Sequence, residues 1–384
     1  MDIHIFQDSI GHYTNSTCQR IYNLNCDFKD ILFINISENC NKKESDLIIY
    51  LPEKWNVIKS YFESLTGVNN VYFHNYNYIA QHIIGIIRFN SNEAVFNWVF
   101  WSAEFYNLPE ISSSFYIGKS FYYHPTYILF KRWKFHLFHF RERVLGRPYY
   151  SHRRFINSFE NIKYFFSFLK SDFENVCNYS NATLQYKLFS YLSFEQFLNE
   201  NGRSEKFIKK NHQTTIMINH NGDPILNHFD VLERLLIINS KFKLVLPLAY
   251  GNTRYINHLK KFCFKNFNSC QLEFWDKFIS PSEYSDKLLS INVAIFNISV
   301  QKGIGNILPL LWNGTKVFLR EESPIFIDFI KLGFCIFSIQ NDLREESLIK
   351  PLTSEEISLN RSLLINLLSD NAVNRYYRDC FLND

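Results

Sequence analysis

The chain has 384 residues, enough for two domains, with a formal net charge of +4 and only 20% charged residues. Aromatic residues reach 18% (Phe 39, Tyr 23, Trp 6), against 12 Gly and 2 Met, and 46% of the chain is hydrophobic. This composition excludes a disordered, collagen-like or coiled-coil chain, and so mild a charge argues against nucleic acid as a partner.

The N-terminus, MDIHIFQDS, has neither a basic region nor an apolar run, so no secretory signal is read there. The eight cysteines form no CxxC pair and are expected to be reduced cytosolic thiols. In the first half, Ile3–Phe6, Ile31–Ile36, Leu47–Leu51, Val71–Phe73 and Val95–Phe100 read as strands. Lys131–Arg154 then brings eight Lys/Arg and a single acid, Glu142. Phe121–Phe140, which overlaps it, has nine aromatic residues in twenty. A polar stretch, Asn199–Asn211, reads as the linker.

The second half alternates more regularly. Thr214–Asn219, Lys243–Leu248, Gln271–Trp275, Val293–Ser299, Thr315–Arg320 and Phe334–Ile339 read as strands, with helix-length segments between them. Asp223-Pro224, Ser280-Pro281 and Ser323-Pro324 each place an oxygen acceptor at a helix cap and Pro at the first helical position. After Pro224, Ile225, Leu226, Phe229, Leu232, Leu235 and Leu236 fall on one helical face. Ser354–Leu382 reads as a final helical segment able to fold back on the first domain. The longest uncharged apolar stretches, Leu288–Gln301 and Gly303–Thr315, are too short and carry Asn, Gln and Gly, so neither reads as a membrane span.

Near-continuous apolar strands alternating with helices predict parallel sheets covered on both faces. The expected fold is therefore α/β, with two Rossmann-like domains (1–205 and 206–384) and a deep inter-domain cleft, the architecture called GT-B. Ligands of such sheets bind at the carboxyl ends of the strands. Six segments lie there. In the second domain, Gln301-Lys302-Gly303-Ile304-Gly305-Asn306 joins a strand to a helix, and the free N–H groups of a helix start attract a diphosphate. Asn219–Pro224, with Asn221, Gly222 and Asp223, has the same placement, and Tyr250 ends another strand where it can stack on a base or pack. In the first domain, Asp8 and His12 follow the first strand and His74 ends another; a carboxylate or imidazole there can deprotonate an acceptor hydroxyl. Trp98–Tyr106 leads apolar residues directly to Glu104.

In this order the motifs resemble the TDP-Fuc4NAc:lipid II Fuc4NAc transferases of glycosyltransferase family 56, which build enterobacterial common antigen. The resemblance rests on Trp98–Tyr106, Gly222-Asp223 with His228, Ala249-Tyr250, Gln301–Gly305 and Leu319–Pro324. The family pattern has Gly where this chain has Ser102, Asp where it has Glu104, and Gly where it has Ala249. The resemblance implies an inverting transferase that moves a Fuc4NAc-like sugar from a TDP donor to a lipid-linked or surface-polysaccharide acceptor. It implies no metal and no cofactor beyond the nucleotide sugar, and no Asp-x-Asp motif is present.

Donor contacts are then expected from Asn221, Gly222, Asp223, Tyr250, Gln301, Gly303, Ile304, Gly305, Asn306, Arg320 and Glu321, and the catalytic base from Asp8, Glu104, His12 or His74, with Asp8 favoured. Lys131, Arg132, Trp133, Lys134, Arg141, Arg143 and Arg147 are expected to meet an anionic membrane and the acceptor, placing the protein peripherally on the cytoplasmic face of a bacterial inner membrane. The alternatives are a nucleotide-sugar epimerase of the same fold and a non-catalytic sugar- or membrane-binding protein.

Overall fold

The structure, a computed structural model, describes residues 1–7, 11–25, 30–37, 46–124, 129–194, 196, 213–267 and 271–382. The chain divides into two compact units. One comprises Met1–Glu110, Phe130–Tyr191 and Asn371–Asp384; the other comprises Ile111–Leu129 and Leu192–Asp370. A single boundary at 205/206, which falls outside the described residues, does not describe this division, because two short segments cross it in opposite senses.

The first unit is built on a seven-stranded sheet in the order β3-β2-β1-β4-β5-β6-β7. The strands are β1 (Asp2–Gln7), β2 (Ile31–Ser37), β3 (Ile48–Pro52), β4 (Asn70–His74), β5 (Val95–Val99), β6 (Ile162–Ser167) and β7 (Gln185–Leu188). Every adjacent pair is parallel. Burial on both faces explains why β1, β2 and β4 are mostly apolar, with even their polar His4, Asn35 and His74 buried. The first five strands match the expected ones to within a residue or two. β6 and β7 were not anticipated: their short segments carry Lys163 and Lys187 among apolar residues and lack flanking glycine or proline.

The helix Tyr78–Asn90 shows how local chemistry sets an element here. Asn77 accepts from the N–H groups of Ile79 and Ala80, and the face of Ile79, Ala80, Ile83, Ile84 and Ile87 is buried. Asn371–Leu382 completes this unit. Tyr377 donates to the Tyr191 carbonyl at 2.9 Å, and the Phe381 ring packs on His4, Tyr72, Phe166 and Phe189. The expected final segment is thus two helices, Ser354–Leu368 and Asp370–Tyr377, broken at Ser369, and the second belongs to the first unit.

The second unit has a six-stranded parallel sheet, β10-β9-β8-β11-β12-β13. Its strands are β8 (Thr215–Ile218), β9 (Lys243–Pro247), β10 (Gln271–Trp275), β11 (Val293–Phe296), β12 (Lys316–Leu319) and β13 (Phe337–Ser338). Ile216, Ile218, Leu232, Leu244, Leu246, Leu259 and Ile295 lie in its core. Two of the three expected proline-first helices form as read, with Ser280 accepting from the Glu283 N–H and Ser323 from the Ile325 N–H. The third does not. Asp223-Pro224 starts only a short turn, Pro224–Leu226, and Asn227 then takes a left-handed conformation (φ 50°), so the helix runs from His228 to Leu235.

Beside this break the backbones of Gly222 and Gly251 touch. They form an isolated parallel bridge, with the Gly222 N–H donating to the Tyr250 carbonyl at 2.8 Å. A Cβ on Gly251, whose φ is +132°, would lie 2.3 Å from the Gly222 carbonyl carbon. Gly251→Ala is therefore expected to destabilise the protein by about 2 kcal/mol or more, measured by urea denaturation.

Candidate active site

In each sheet the strand order reverses at one point: between β1 and β4 in the first unit, and between β8 and β11 in the second. The crevice outside the carboxyl ends of such a strand pair is where open α/β sheets take ligands.

In the second unit, β8 runs into Asn219–Asp223 and β11 into Asn297–Gly303. Gly303 adopts φ 80° and starts the helix Ile304–Trp312 with no side-chain cap. An uncapped helix start presents unpaired N–H groups and the positive end of the helix dipole. The His220 ring packs directly beneath this turn, where a Cβ on Gly303 would come within 2.8 Å of its Nδ1. That nitrogen is buried and without a hydrogen-bond partner among the described residues. Burial, and after it the nearby Lys302 charge, pushes the His220 pKa down to about 3, so the ring is neutral. Lys302 Nζ lies 2.5 Å from Asp223 Oδ2, and both side chains are about one-third exposed.

Three fully buried asparagines fix these loops. The Asn297 N–H donates to Asn219 Oδ1 (3.1 Å), and Asn297 Nδ2 donates to the Asn227 carbonyl (3.1 Å) and Asp230 Oδ2 (3.0 Å). Asn227 reaches into Ile111–Leu129: its Nδ2 donates to the Phe115 carbonyl and its Oδ1 accepts from the Ile117 N–H at 2.8 Å. Arg320, at the end of β12, lies between Asn297 Oδ1 (3.4 Å) and Glu322 (2.9 Å).

The anticipated donor residues divide by what holds them. Gly303, Ile304, Gly305 and Gln301 surround the open helix start. Asn306 is turned aside, accepting from the Tyr284 hydroxyl at 2.7 Å. Asn221 and Asp223 bond within their own turn, Asn221 Oδ1 to the Asp223 N–H and Asp223 Oδ1 to the Ile225 N–H. Gly222 serves the contact with Gly251. Tyr250 is exposed. Glu321 Oε1 accepts from Ser338 and Asn341. His220 and Lys302 lie within the two segments read from the sequence but were given no role there, and Asn297, at the end of a strand, was not singled out.

In the first unit, Glu104 stands just beyond β5, on the short helix Ala103–Tyr106. Its Oε1 accepts from the Trp101 N–H (2.7 Å) and the Trp98 indole N–H (3.1 Å). Its Oε2 is buried without a hydrogen-bond partner among the described residues. Burial outweighs the hydrogen bonds and raises the Glu104 pKa to about 7. Such a carboxyl is poised for proton transfer near neutral pH. The turn before it is strained, since Ser102 has φ 80° and ψ −50°.

His74 is fully buried. Its Nε2 lies 3.0 Å from His4 Nδ1 and its Nδ1 lies 3.1 Å from the Tyr191 hydroxyl, and burial holds its pKa well below the ordinary value. Tyr191 stacks on Trp101 at 4.3 Å, which links the histidine pair to the Glu104 turn. His74 is thus placed to position its neighbours rather than to meet a substrate. Asp8 lies outside the described residues, as do the side chains of His12, Lys131 and Arg132.

The remaining basic residues lie on or just after the helix Leu129–Val144. Trp133, Leu137, Phe140 and Val144 are spaced four, three and four apart and are 60%, 51%, 63% and 71% exposed, so they form one apolar stripe. Lys134 and Arg141 flank it on one side, His136 and Arg143 on the other. The opposite face of Phe135, His139 and Glu142 turns inward, and Arg147 pairs back to Glu142 at 3.7 Å. Among the described residues no helix is long and apolar enough to cross a membrane, and no three of His, Cys, Asp and Glu converge as metal ligands.

Residues 123–376, more than half of the chain, match the family described as 4-alpha-L-fucosyltransferase, glycosyl transferase group 56. The chain belongs to this family. It is a glycosyltransferase. No curated protein sequence matches it. Solved structures similar to it include the N-terminal domain of Candida albicans trehalose-6-phosphate phosphatase (TM-score 0.62, 10% identity, covering 98% of this chain and 95% of that one). Anabaena HepE in complex with UDP-glucose is similar at TM-score 0.56 and 8% identity, covering 98% of both chains. So is WaaG, a glycosyltransferase involved in lipopolysaccharide biosynthesis, at TM-score 0.53 and 6% identity, covering 100% of both. At these identities the likenesses speak to the fold, which is GT-B. Ser102, where the resemblance implies glycine, has a positive φ that glycine adopts without strain.

Two expectations follow for the Glu104 turn. Ser102→Gly should raise stability by about 1 kcal/mol in denaturant titrations, by relieving the positive φ. The folded-state pKa of Glu104, about 7, lies above its ordinary 4.5, so folding disfavours the ionised form. Stability should therefore fall as pH rises from about 4.5 to about 7. Glu104→Gln should be near neutral at the acid end and stabilising by about 1–3 kcal/mol at about pH 8. An equal effect at both ends of a urea series would remove the buried charge as its cause.

Proposed function

We propose that this group 56 glycosyltransferase moves a deoxy-amino sugar of the Fuc4NAc type from a nucleoside diphosphate, TDP in the first instance, to a lipid-linked saccharide, with inversion and without a metal. The observation that carries the reading is the uncapped start of Ile304–Trp312 at the strand-order reversal of the second unit, with Lys302 on one side and the neutral His220 beneath. Backbone N–H groups and a nearby ammonium are what a departing diphosphate needs, because they stabilise charge as it develops. The likeness to a protein crystallised with UDP-glucose supports a nucleotide sugar as the ligand.

The reaction is a single displacement. The ionised Glu104 takes the proton of the acceptor hydroxyl. The oxygen bonds to the anomeric carbon of the donor as the bond from that carbon to the diphosphate oxygen breaks. The nucleoside diphosphate leaves with the bonding pair. The raised pKa makes Glu104 a stronger base than an ordinary carboxylate, and Trp98 and Trp101 fix its first oxygen, leaving the buried, unpartnered second oxygen to take the proton. Asp8 remains the other candidate for this role.

The helix Leu129–Val144 supports a peripheral membrane location. An apolar stripe of Trp, Leu, Phe and Val with basic flanks is the composition of a helix that lies in a lipid headgroup layer, and anionic lipids add attraction to each Lys and Arg.

The test is turnover with TDP- and UDP-sugars, followed by identification of the product sugars. Release of nucleoside diphosphate with the sugar transferred intact supports the transferase, whereas an inverted sugar still attached to nucleotide would indicate an epimerase. Glu104→Gln should spare nucleotide binding and lower kcat at least a hundredfold. Gly303→Val should weaken nucleotide binding, because the added side chain meets His220. Full activity in Glu104→Gln, with loss in Asp8→Asn, would move the base to Asp8. Trp133→Ser with Phe140→Ser should lower binding to anionic liposomes, and unchanged binding would leave the stripe without a membrane role.

A further inference from the structure

The first unit contains a cavity of about 550 Å³ that no step above uses. We propose that it binds a sugar ring of the lipid-linked acceptor. The inference rests on the transferase reading, which it deepens by naming where the acceptor saccharide sits.

The cavity opens at the carboxyl edge of the sheet. Its floor comes from the end of β3 and the start of the helix Trp55–Glu63, and one wall from the first turn of Tyr78–Asn90, capped by Asn77. Asn77 and Gln7, the last residue of β1, are hydrogen-bonded to each other, so this wall is continuous with the strand-order reversal of the unit. The other wall is the helix Leu129–Val144, through Phe138 and Glu142.

Its lining has the mixed character that a pyranose requires. Trp55, Tyr78 and Phe138 offer aromatic surface for the apolar C–H face of a ring. Glu53, Asn56 and Glu142 offer acceptors for its hydroxyls, and Arg147 a donor. Glu142 is buried and pairs with the guanidinium of Arg147 at 3.7 Å and of Arg141 at 3.9 Å. Burial, reinforced by Glu53 and Glu142, holds the Tyr78 pKa above its ordinary value, so its hydroxyl remains a donor. Glu53 and Glu142 are balanced in the lining by Lys54 and Arg147, and a wall with no net charge suits a neutral sugar better than a phosphate or a nucleotide. A volume in the range of small-molecule pockets fits a mono- or disaccharide.

Phe138 joins the cavity to the membrane stripe, because it lies on the same helix as Trp133, Leu137, Phe140 and Val144 and is itself about half exposed. A sugar in the cavity can therefore carry its lipid along the helix and into the headgroup layer.

Saturation-transfer NMR and titration with methyl β-N-acetylglucosaminide, methyl β-glucoside and methyl β-galactoside test the site on the full chain. At least one glycoside should bind at millimolar concentration. Trp55→Ala should weaken it about tenfold and Trp55→Phe, which keeps a stacking face, far less. Asn56→Arg blocks the mouth from an exposed position and should abolish binding without unfolding the protein. The octyl form of the bound sugar should bind about tenfold more tightly than the methyl form, and Phe138→Ser should reduce that advantage. Absence of binding by every glycoside, or equal binding by wild type, Trp55→Ala and Asn56→Arg, overturns the site. Equal affinity for methyl and octyl forms overturns the lipid connection. TDP and UDP calorimetry separates the two proposals: loss of all nucleotide binding would sink the transferase reading while the glycoside titration still judges the cavity.

Discussion

The carboxyl edge of the second unit's sheet depends on burying three asparagine amides with their hydrogen bonds made. An amide moved out of water without partners costs about 2–7 kcal/mol, so a set that is half satisfied would be worse than an apolar core. Asn219, Asn227 and Asn297 solve this by bonding one another's loops, and in doing so they join the ends of β8 and β11, the start of His228–Leu235 and the segment Ile111–Leu129. Two of the three also carry positive φ, where asparagine is among the few residues other than glycine at ease. The helix start at Gly303 inherits its position from this arrangement. A free N–H pair is useful to a ligand only if the backbone carrying it is already where the ligand will be.

The first unit organises its edge by a different principle. Glu104 is kept partly unsatisfied: one oxygen is bonded twice, the other is buried alone, and the turn that presents it is strained at Ser102. Behind it the buried, neutral pair His4 and His74, the Tyr191 ring and the C-terminal Tyr377 form a continuous packed layer. Order in that layer substitutes for hydrogen bonds at the carboxylate itself. The second unit thus spends its polar groups on rigidity, and the first leaves one available for chemistry.

Most of the fold was legible in the sequence because its strands are buried on both faces and so read as apolar runs. The two capped helices at Ser280 and Ser323 were legible because serine followed by proline states a mechanism. What was not legible depended on partners far away in the chain. Asn227 breaks the helix expected after Pro224 because its side chain is needed by Asn297 and Ile117, and no local pattern encodes that. β6 and β7 are short and carry lysines that only the finished sheet makes tolerable. The membership of Ile111–Leu129 in the second unit rests on Asn227 and on the Ser120–Tyr255 hydroxyl pair, again distant in sequence. At the candidate site, the glycine turn at Gly303 and the carboxylate at Glu104 were picked out from their places after strands. His220 and Lys302 were passed over because a histidine and a lysine beside a turn carry no signature until their burial and pairing are known.

The division of the chain into interleaved units bears on how it is made. The sheet of the first unit is translated early, but the residues that cover part of it, Tyr377 and Phe381 among them, come after the whole sheet of the second unit. On the ribosome, His4, Tyr72, Phe166 and Phe189 would wait with an apolar face uncovered while the second unit is synthesised and folds. Domains that can normally finish one at a time are here obliged to finish together, and the interval between is one in which a chaperone would find exposed aromatic surface to hold.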